Sequence, residues 1–427
     1  MSVTPPPPPE ARPGSAAGSR SSWSTAAPFF VLGLRAFGGP TAQIEAMRLE
    51  FVERRRWIEP ERFRRAVGLY QALPGPEATE LCVYLGVHRA GRLGGLAAGL
   101  AFLLPGVFIV SMLAWAIAAA GDASALRHAL AAARPVAVGI VLVAAWRLAR
   151  DAAADRWLLA ILVASFAGAL VGTHWFILLA AGAGAAALIS RGDGWYGLAL
   201  LGGVLLAAGL YALMIALRAQ AGAAAGEPVD TWVRASTAPT AASLAWTGLK
   251  AGAMSFGGAY TALPILRYDL VQVAAAVSPG QFVDALSIVS VAPTPLVTIA
   301  TVLGWFTGGV AGALVMTVAI FAPALLITLL WHHRLHAVLE HRPLHAVLDG
   351  LAAAAVGVMA GAAVDVARAV LWAGSGEGGW HRSELLITAV VVGLLMVWPR
   401  RWGGPVLIVI AAFAGAVFGG DPPKWSN

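Results

Sequence analysis

Two short interruptions of apolar sequence carry residue types that bind anions. Phe37-Gly38-Gly39-Pro40 breaks the apolar run that begins near Ala26, and Phe256-Gly257-Gly258 breaks a second run, GLKAGAMSFGGAY. Glycines followed by proline favour a helix start, where the first amide N–H groups have no intrahelical partner and the helix dipole is positive. Such a helix end attracts a negatively charged ligand.

A further interruption follows each of these. They are Leu73-Pro74-Gly75-Pro76 and Ala292-Pro293-Thr294-Pro295. Broken backbone is costly in hydrocarbon, so it is tolerated where it is buried in protein or lines a water-filled cavity. We therefore predict that the four interruptions converge on one anion site near the membrane midplane. For each one, the alternative is a proline kink that binds nothing.

Charged and polar side chains beside the interruptions could contribute to the same site. Arg35 and Lys250 precede the two FGG turns and are candidates for pairing with an anion, with snorkelling to the interface as the alternative. Glu77 and Glu80 share a helix face, and compensation of the helix dipole is favoured over a proton-coupling role. Further hydrogen-bond donors, some of which would instead cap carbonyls, are Gln43, Gln71, Ser255, Tyr260, Thr294 and Thr298.

The elements that must position these residues are transmembrane helices, because the composition is that of a polytopic membrane protein. Of 427 residues, 59% are hydrophobic and 12% are charged, whereas about 25% of residues are charged in soluble proteins. The period-2 alternation of a membrane β-barrel is absent from the sequence. Apolar stretches suited to spanning helices, some needing neighbouring residues, lie at 97–120, 133–146, 157–172, 175–190, 195–217, 312–331, 347–364, 384–398 and 405–420.

Other function classes find little support. The single cysteine, Cys82, excludes an internal disulfide, and the sequence has no CxxC, CxxCH or HExxH motif, so no cofactor or metal is expected. His332 with His336, and His341 with His345, have helical spacing, but a solvated loop is favoured over a metal site. The net charge is +7, yet the arginines fall in short loops as the positive-inside rule places them. Nucleic acid is therefore not an expected partner.

The chain is predicted to contain two copies of one unit. Phe37-Gly38-Gly39 lies 219 positions before Phe256-Gly257-Gly258, and Pro74 lies 219 positions before Pro293. Because solenoid periods are much shorter, a repeat of this size indicates a duplicated domain.

Basic residues indicate that the copies have opposite orientations. Stretch 48–65 holds seven arginines and its counterpart 267–284 holds one, while the bias reverses at Arg400-Arg401; cytoplasmic loops collect basic residues. We predict an all-α polytopic membrane protein of two inverted-topology repeats with discontinuous or re-entrant helices, joined by one linking transmembrane helix. The expected parts are a disordered N-terminal tail (1–24), the first repeat (25–192), the linking helix and loop (193–240), the second repeat (241–420) and a C-terminal tail (421–427).

At FGGP, EFVERRRW and LPGPEA the sequence resembles the chromate ion transporter (CHR) family of the long-chain, two-domain type. The likeness extends from about Pro28 to Phe418. Three residues depart from the family pattern. Arg35 stands where a small or hydroxyl residue is expected, Glu80 where Gln is expected, and Thr294 where Gly is expected. Further matching positions are Gln43, Gly94-Gly95, Leu104-Pro105-Gly106, Phe256 to Tyr260, Pro293, Pro295 and Leu296.

The resemblance implies a carrier of the bacterial inner membrane that exports chromate, with sulfate as a competing anion. A dianion leaving an inside-negative cell gains roughly 4.6 kcal/mol at 100 mV, so export is favoured, and alternating access is the expected mechanism. Sulfate-type uptake, an anion channel and a membrane-embedded enzyme are the alternatives, and a homodimer is compatible with the sequence. The predicted site residues are Arg35, Phe37, Gly38, Gly39, Pro40, Gln43, Gln71, Pro74, Gly75, Pro76, Glu77, Lys250, Ser255, Gly257, Gly258, Tyr260, Pro293, Thr294 and Pro295.

Overall fold

The computed structural model describes residues 22–120, 123–152, 155–192, 194–224, 239–256, 259–339, 342–373, 379–380, 382–397 and 402–418. This part of the chain is almost entirely helical, which confirms the prediction of an all-α membrane protein. The exception is a ladder of two short antiparallel strands, Trp372–Ala373 (β1) and Gly379–Trp380 (β2). Several residues named above lie outside the described part: Gly257, Gly258, Arg400-Arg401, most of both predicted tails and the side chains of 331–344.

The helices of the first half, followed by α8, are α1 (Ser22–Gly33), α2 (Gly39–Met47), α3 (Pro60–Ala72), α4 (Glu77–Ala120), α5 (Ser124–Ala152), α6 (Arg156–Leu170), α7 (Trp175–Ser190) and α8 (Gly194–Ala224). Those of the second half are α9 (Ala241–Ala253), α10 (Ala262–Arg267), α11 (Pro279–Val291), α12 (Ile299–Leu339), α13 (Arg342–Leu371), α14 (Arg382–Val397) and α15 (Gly403–Phe418). Helices α3 and α11 begin and end 219 positions apart.

Irregular backbone recurs at the same places in both halves. Helices α2 and α10 each continue into a π-helical segment, Arg48–Arg54 and Tyr268–Val273. Shortly after each segment lies a non-glycine residue with positive φ, Arg56 at 50° and Ala275 at 47°. The charged segment after Pro40 is therefore a short helix with a widened last part, separate from the long spanning helices.

The long helices α4 and α12 each contain a sharp break. Helical dihedral angles are interrupted at Ala90 and Gly91 in α4, and at Gly308 and Gly309 in α12. Gly91 has a φ of 68°, which glycine adopts without the strain that a side chain would bring. Each element is thus two helices in series, and the spans predicted from 97 and 312 begin just beyond the breaks.

The length and composition of the helices fit a multi-pass membrane protein. Four helical segments of the described chain are long and apolar enough to cross a membrane: Glu77–Ala120, Ser124–Arg150, Leu296–Leu330 and His345–Leu371. Shorter apolar helices cover Arg156–Leu170, Ile177–Ser190, Gly194–Leu206, Glu384–Val397 and Gly403–Val417.

The contacts between the two halves come in reciprocal pairs. Helix α5 of the first half packs on α14 and α15 of the second, whereas α13 of the second half packs on α6 and α7 of the first. Within the halves, α1 packs on α4 and α9 on α12, and the two long helices α4 and α12 also contact each other. Gly33 meets the Phe102 carbonyl and Gly252 meets the Ile320 carbonyl so closely that a Cβ would collide. Small residues of this kind let membrane helices touch along their backbones.

Candidate anion-binding site

A cavity of about 120 Å³ lies where the two halves meet. One water needs roughly 10–15 Å³ measured in this way, so the cavity has room for a small polyatomic ion. Its lining combines the first interruption of the first half with residues of the second half. The lining residues are Gly38, Gly39, Ile140, Val143, Ala144, Arg147, Tyr260, Val289, Ser290, Ala292, Thr294, Leu296, Leu395, Gly404 and Pro405.

The N-terminal end of α2 faces this cavity. Gly38 is its N-cap, with φ of 97° and ψ of 16°, and Pro40 lies in its first turn. Glycine has no side chain to cap the helix, so the first-turn N–H groups are available to a ligand. A Cβ added at Gly39 would lie 3.9 Å from the Tyr260 hydroxyl oxygen. Backbone amides of one half and a phenolic O–H of the other therefore border the same space.

Arg147 supplies positive charge to the cavity. It lies near the C-terminal end of α5 and, among the described lining residues, carries the only charged side chain. Its Nη2 donates a hydrogen bond to the Leu395 carbonyl oxygen at 2.8 Å. A guanidinium has five N–H donors, so this bond leaves capacity to bind an oxyanion through two parallel hydrogen bonds.

Thr294 forms part of the opposite wall. Its hydroxyl donates to Thr298 Oγ1 at 3.2 Å, and Thr298 donates to the Pro295 carbonyl at 2.9 Å. A Cβ added at Gly106 of α4 would lie 2.5 Å from Thr294 Oγ1. The buried turn between Pro293 and Pro295 is thus fixed by its own hydroxyl groups and by a helix of the first half.

The interruption at Leu73–Pro76 is tied to this region but does not line the cavity, and Gly257 and Gly258 of the fourth interruption lie outside the described residues. The Gly75 amide donates to the Ser255 carbonyl oxygen at 3.0 Å. Pro74, Pro76 and Glu77 lie beside that bond, outside the cavity lining. The structure therefore brings Gly38, Gly39, Tyr260 and Thr294 together and leaves the Leu73–Pro76 turn adjacent to them.

The two cations proposed from the sequence lie elsewhere. Arg35 is exposed and does not line the cavity. Lys250 is paired, because its Nζ lies 2.5 Å from Asp269 Oδ2. Neither geometry supports a direct role in holding the anion.

Two of the other predicted residues, Gln43 and Phe37, have structural contacts. Gln43 is buried, and its Nε2 donates to the Ala36 carbonyl at 2.9 Å. The Phe37 ring lies 4.2 Å from the ring of Trp402, centroid to centroid, and so contacts the second half. Gln71 is exposed. These side chains position the turn or lie beyond it.

Arg147 was missed because its sequence context is that of a cytoplasmic loop arginine. The signal that could have identified it is its spacing from Ile140, Val143 and Ala144. Offsets of three, four and seven place all four on one face of α5. That face lines the cavity.

The charged segment around the first π-helix is neutralised locally. Arg48 lies 2.7 Å from Glu45 and 2.6 Å from Glu53. The hydrogen bond from Arg48 lowers the pKa of Glu45; burial opposes this shift, and the Arg48 charge adds to it. These exposed groups are not part of the anion site.

The comparison with known proteins agrees with the sequence resemblance. The chromate transporter family model matches residues 23–188 and again 242–416. A chromate transport protein of Pseudomonas aeruginosa is 37% identical over 390 residues, which cover 91% of this chain and 90% of the relative. A chromate transport protein of Cupriavidus metallidurans is 27% identical over 91% of this chain and 91% of the relative. A probable chromate transport protein of Synechococcus elongatus is also 27% identical, over 91% of this chain and 94% of the relative. No solved structure matches the chain.

Proposed function

The chain belongs to the chromate transporter family, and we propose that it exports chromate from the cytoplasm across the inner membrane of a bacterial cell. Members of this family are transporters and not enzymes. The names of the three relatives support chromate as the substrate. The apolar helices place the chain in a membrane as a multi-pass protein.

The observation that carries the proposal is the composition of the cavity. The α2 N-terminus, the Arg147 guanidinium and the Tyr260 hydroxyl all border one space of about 120 Å³. Each supplies hydrogen-bond donors, and two of them carry full or partial positive charge. A small, doubly charged oxyanion is the ligand that suits such a set of donors, and chromate is one.

The position of the cavity between the halves supports transport by alternating access. Helix α2 of the first half and α11 of the second both contribute to it, so a rocking movement would open the two walls in turn. We propose that the halves have opposite membrane orientations, which the opposite bias of arginines in 48–65 and 267–284 supports. The membrane potential then favours outward movement of the dianion.

Everted membrane vesicles containing the full chain test this function. The interior of such vesicles corresponds to the outside of the cell, so we expect radiolabelled chromate to enter them. An imposed interior-positive potential should increase the uptake, and unlabelled sulfate or molybdate should compete. Sodium-driven accumulation of sulfate in the opposite direction would contradict export, and currents far above carrier turnover would indicate a channel.

A further inference from the structure

A buried polar cluster in the first half occupies positions that correspond to the second-half residues at or near the cavity. Moving back 219 positions from the cavity residues Val289, Thr294 and Leu296 gives Tyr70, Gly75 and Glu77. The same step from the buried Ile299 gives Glu80. We call Tyr70, Gly75, Glu77 and Glu80 the twin cluster. It has carboxyl groups where the cavity region has aliphatic side chains, so it cannot serve as a second anion site.

Glu80 is the most enclosed carboxyl group in this cluster. Its exposed fraction is 0%, and neither carboxyl oxygen has a hydrogen-bond partner among the described residues. The carboxyl group packs against the second interruption, because a Cβ added at Gly75 would lie 2.9 Å from Glu80 Oε1. Gly75 in turn donates its amide to the Ser255 carbonyl. The carboxyl group therefore touches the turn that connects the two halves.

Two hydroxyl groups beside this turn also lack partners within the described chain. Tyr70 of α3 is 1% exposed; its hydroxyl makes no close hydrogen bond to a described residue but lies near Thr328, and it interacts electrostatically with Glu80 of α4. Ser255 is 0% exposed, and its hydroxyl is likewise unpaired. Unsatisfied buried polar groups are rare in proteins, and several together indicate a site that a small polar ligand or a rearrangement completes.

The cations near this region are engaged elsewhere. Arg62 donates to the Tyr84 hydroxyl at 3.2 Å, and Arg134 holds Asp284 of α11 through two hydrogen bonds of 2.8 and 3.0 Å. The residues of α12 nearest the cluster, Ala324 and Thr328, do not ionise, and α1 brings no ionisable group among its described side chains. Among the described residues, Glu77 on α4 and Tyr70 on α3 interact electrostatically with Glu80. The elements packed around it also carry Cys82, Tyr84, His88, Arg89 and Arg92 on α4, Glu61, Arg62, Arg64 and Arg65 on α3, the Arg48-bound Glu45 on α2 and Asp284 on α11.

An ionised carboxylate in these surroundings would be strongly unfavourable, whereas a neutral carboxylic acid is tolerated. A metal ion would need more ligands than the cluster offers, since no group of three or more His, Cys, Asp or Glu residues is placed to hold one in the described chain. We infer that Glu80 is a proton-binding site, occupied in this conformation, through which proton movement is coupled to anion movement. The inference rests on the proposed transport function. It replaces helix-dipole compensation as the role of Glu80, because compensation needs a charged carboxylate.

The sign of the coupling follows from electrostatics. An ionised Glu80 would repel a dianion held across the Gly75–Ser255 connection, and protonation removes that repulsion. Chromate binding and protonation of Glu80 therefore favour each other, and the linkage is reciprocal. Proton and anion should cross the membrane in the same direction, so each chromate leaves the cell with one net negative charge and the membrane potential still favours export.

Proteoliposomes with the purified full chain test this directly. The membrane potential is clamped at zero, and both pH values stay above the range in which chromate itself takes up a proton. We expect a pH gradient to drive labelled chromate to the alkaline side in the wild type. Glu80→Gln should lower this accumulation about tenfold or more but keep chromate–chromate exchange within about twofold, since the amide mimics the protonated acid. The exposed Glu61→Gln variant should behave as the wild type.

The outcomes separate this inference from the transport proposal. Three outcomes overturn the coupling role. The accumulation driven by the pH gradient persists in Glu80→Gln, or the wild type exchanges chromate but does not respond to the pH gradient, or chromate moves to the acidic side. A wild type without chromate exchange overturns the proposed function instead. If Glu80→Gln loses both activities, labelling of the wild type decides. The apolar reagent dicyclohexylcarbodiimide modifies protonated carboxyl groups, so mass spectrometry should find the adduct at Glu80 at neutral pH, and an unmodified Glu80 contradicts the inference.

Discussion

The amide nitrogen of Gly75 lies 3.0 Å from the carbonyl oxygen of Ser255 and donates a hydrogen bond to it. This bond joins the second interruption of the first half to the segment just before the first interruption of the second half. Because both residues are buried, breaking the bond without a replacement would be costly. Any movement of the halves that opens the cavity must either preserve this connection or exchange it for another.

The guanidinium of Arg147 should account for a large part of anion affinity. Hydrogen bonds to charged groups contribute about 1.5–3 kcal/mol, so Arg147→Ala should weaken chromate binding about 10- to 100-fold. Arg147→Lys keeps the charge but loses the paired donors, and we expect an intermediate affinity. Equilibrium binding of labelled chromate to purified protein measures this.

Arg150→Ala is the matched control. Arg150 lies three positions further along α5 and is exposed, as Arg147 is, but it does not line the cavity. Its removal should change chromate binding little. Equal affinities for the Arg147 and Arg150 variants would show that the guanidinium at the cavity is not an anion ligand.

Gly39 is expected to affect binding beyond its effect on folding. Its φ is 80°, so Gly39→Ala should cost about 1–2 kcal/mol of stability through backbone strain, and the added methyl group enters the cavity near Tyr260. Gly172 has a φ of 82° and nothing within 4 Å of an added Cβ. Gly172→Ala is therefore a control with the same backbone strain.

Thermal unfolding in detergent, together with chromate binding, separates the two effects. Both variants should lose similar stability, but only Gly39→Ala should lose affinity. Chromate binding that falls equally in both variants would mean that Gly39 acts through the fold alone.

Much of the architecture could be predicted from sequence because it depends on composition and repetition. The apolar stretches gave the spanning helices, and two of the four predicted interruptions, at Gly38-Gly39 and at Ala292–Thr294, border the cavity. Side-chain partners could not be predicted in this way. Lys250 pairs with Asp269, which lies in the π-helical segment Tyr268–Val273. Sequence periodicity gives no sign of a π-helix, so this pairing could not be predicted. Arg147 could be recognised only when its helix face was known.

The ion pair between Arg134 and Asp284 should hold the two halves together. Its atoms lie 2.8 Å apart at the closest, and the side chains are 17% and 11% exposed. Removing one partner of a buried pair typically costs about 3 kcal/mol or more, because the interaction that offset the desolvation of the other charge is lost. Asp284→Asn should therefore lower the thermal unfolding midpoint clearly, and the double variant Arg134→Met with Asp284→Leu should recover most of the loss.

An exposed pair provides the comparison. Glu61 pairs with Arg64 on the surface of α3, where such pairs contribute about 0–1 kcal/mol. Glu61→Gln should thus leave the midpoint almost unchanged. If Asp284→Asn is as mild as Glu61→Gln, the pair does not stabilise the contact between α5 and α11.

His174, in the loop before α7, should make stability depend on pH. Burial lowers its pKa from the usual 6.5, while the charge of Asp269 opposes the shift and that of Lys250 adds to it. The unfolded chain then binds more protons than the folded one near pH 6.5, so stability falls as the pH drops through this range. Unfolding midpoints measured across the range should decline in the wild type and decline less in His174→Gln. Parallel curves for both proteins would exclude His174 as the cause.

The most direct test of the account is the position of bound chromate. Diffraction data from crystals of the full chain with chromate, collected on both sides of the chromium absorption edge, locate the metal atom of the anion without ambiguity. We predict a chromium peak inside the cavity, with oxygens in hydrogen-bond reach of the Arg147 guanidinium and the amides that begin α2. A chromium peak at another position, with this cavity holding only water, would contradict the claim that the broken helices of both halves bind the anion.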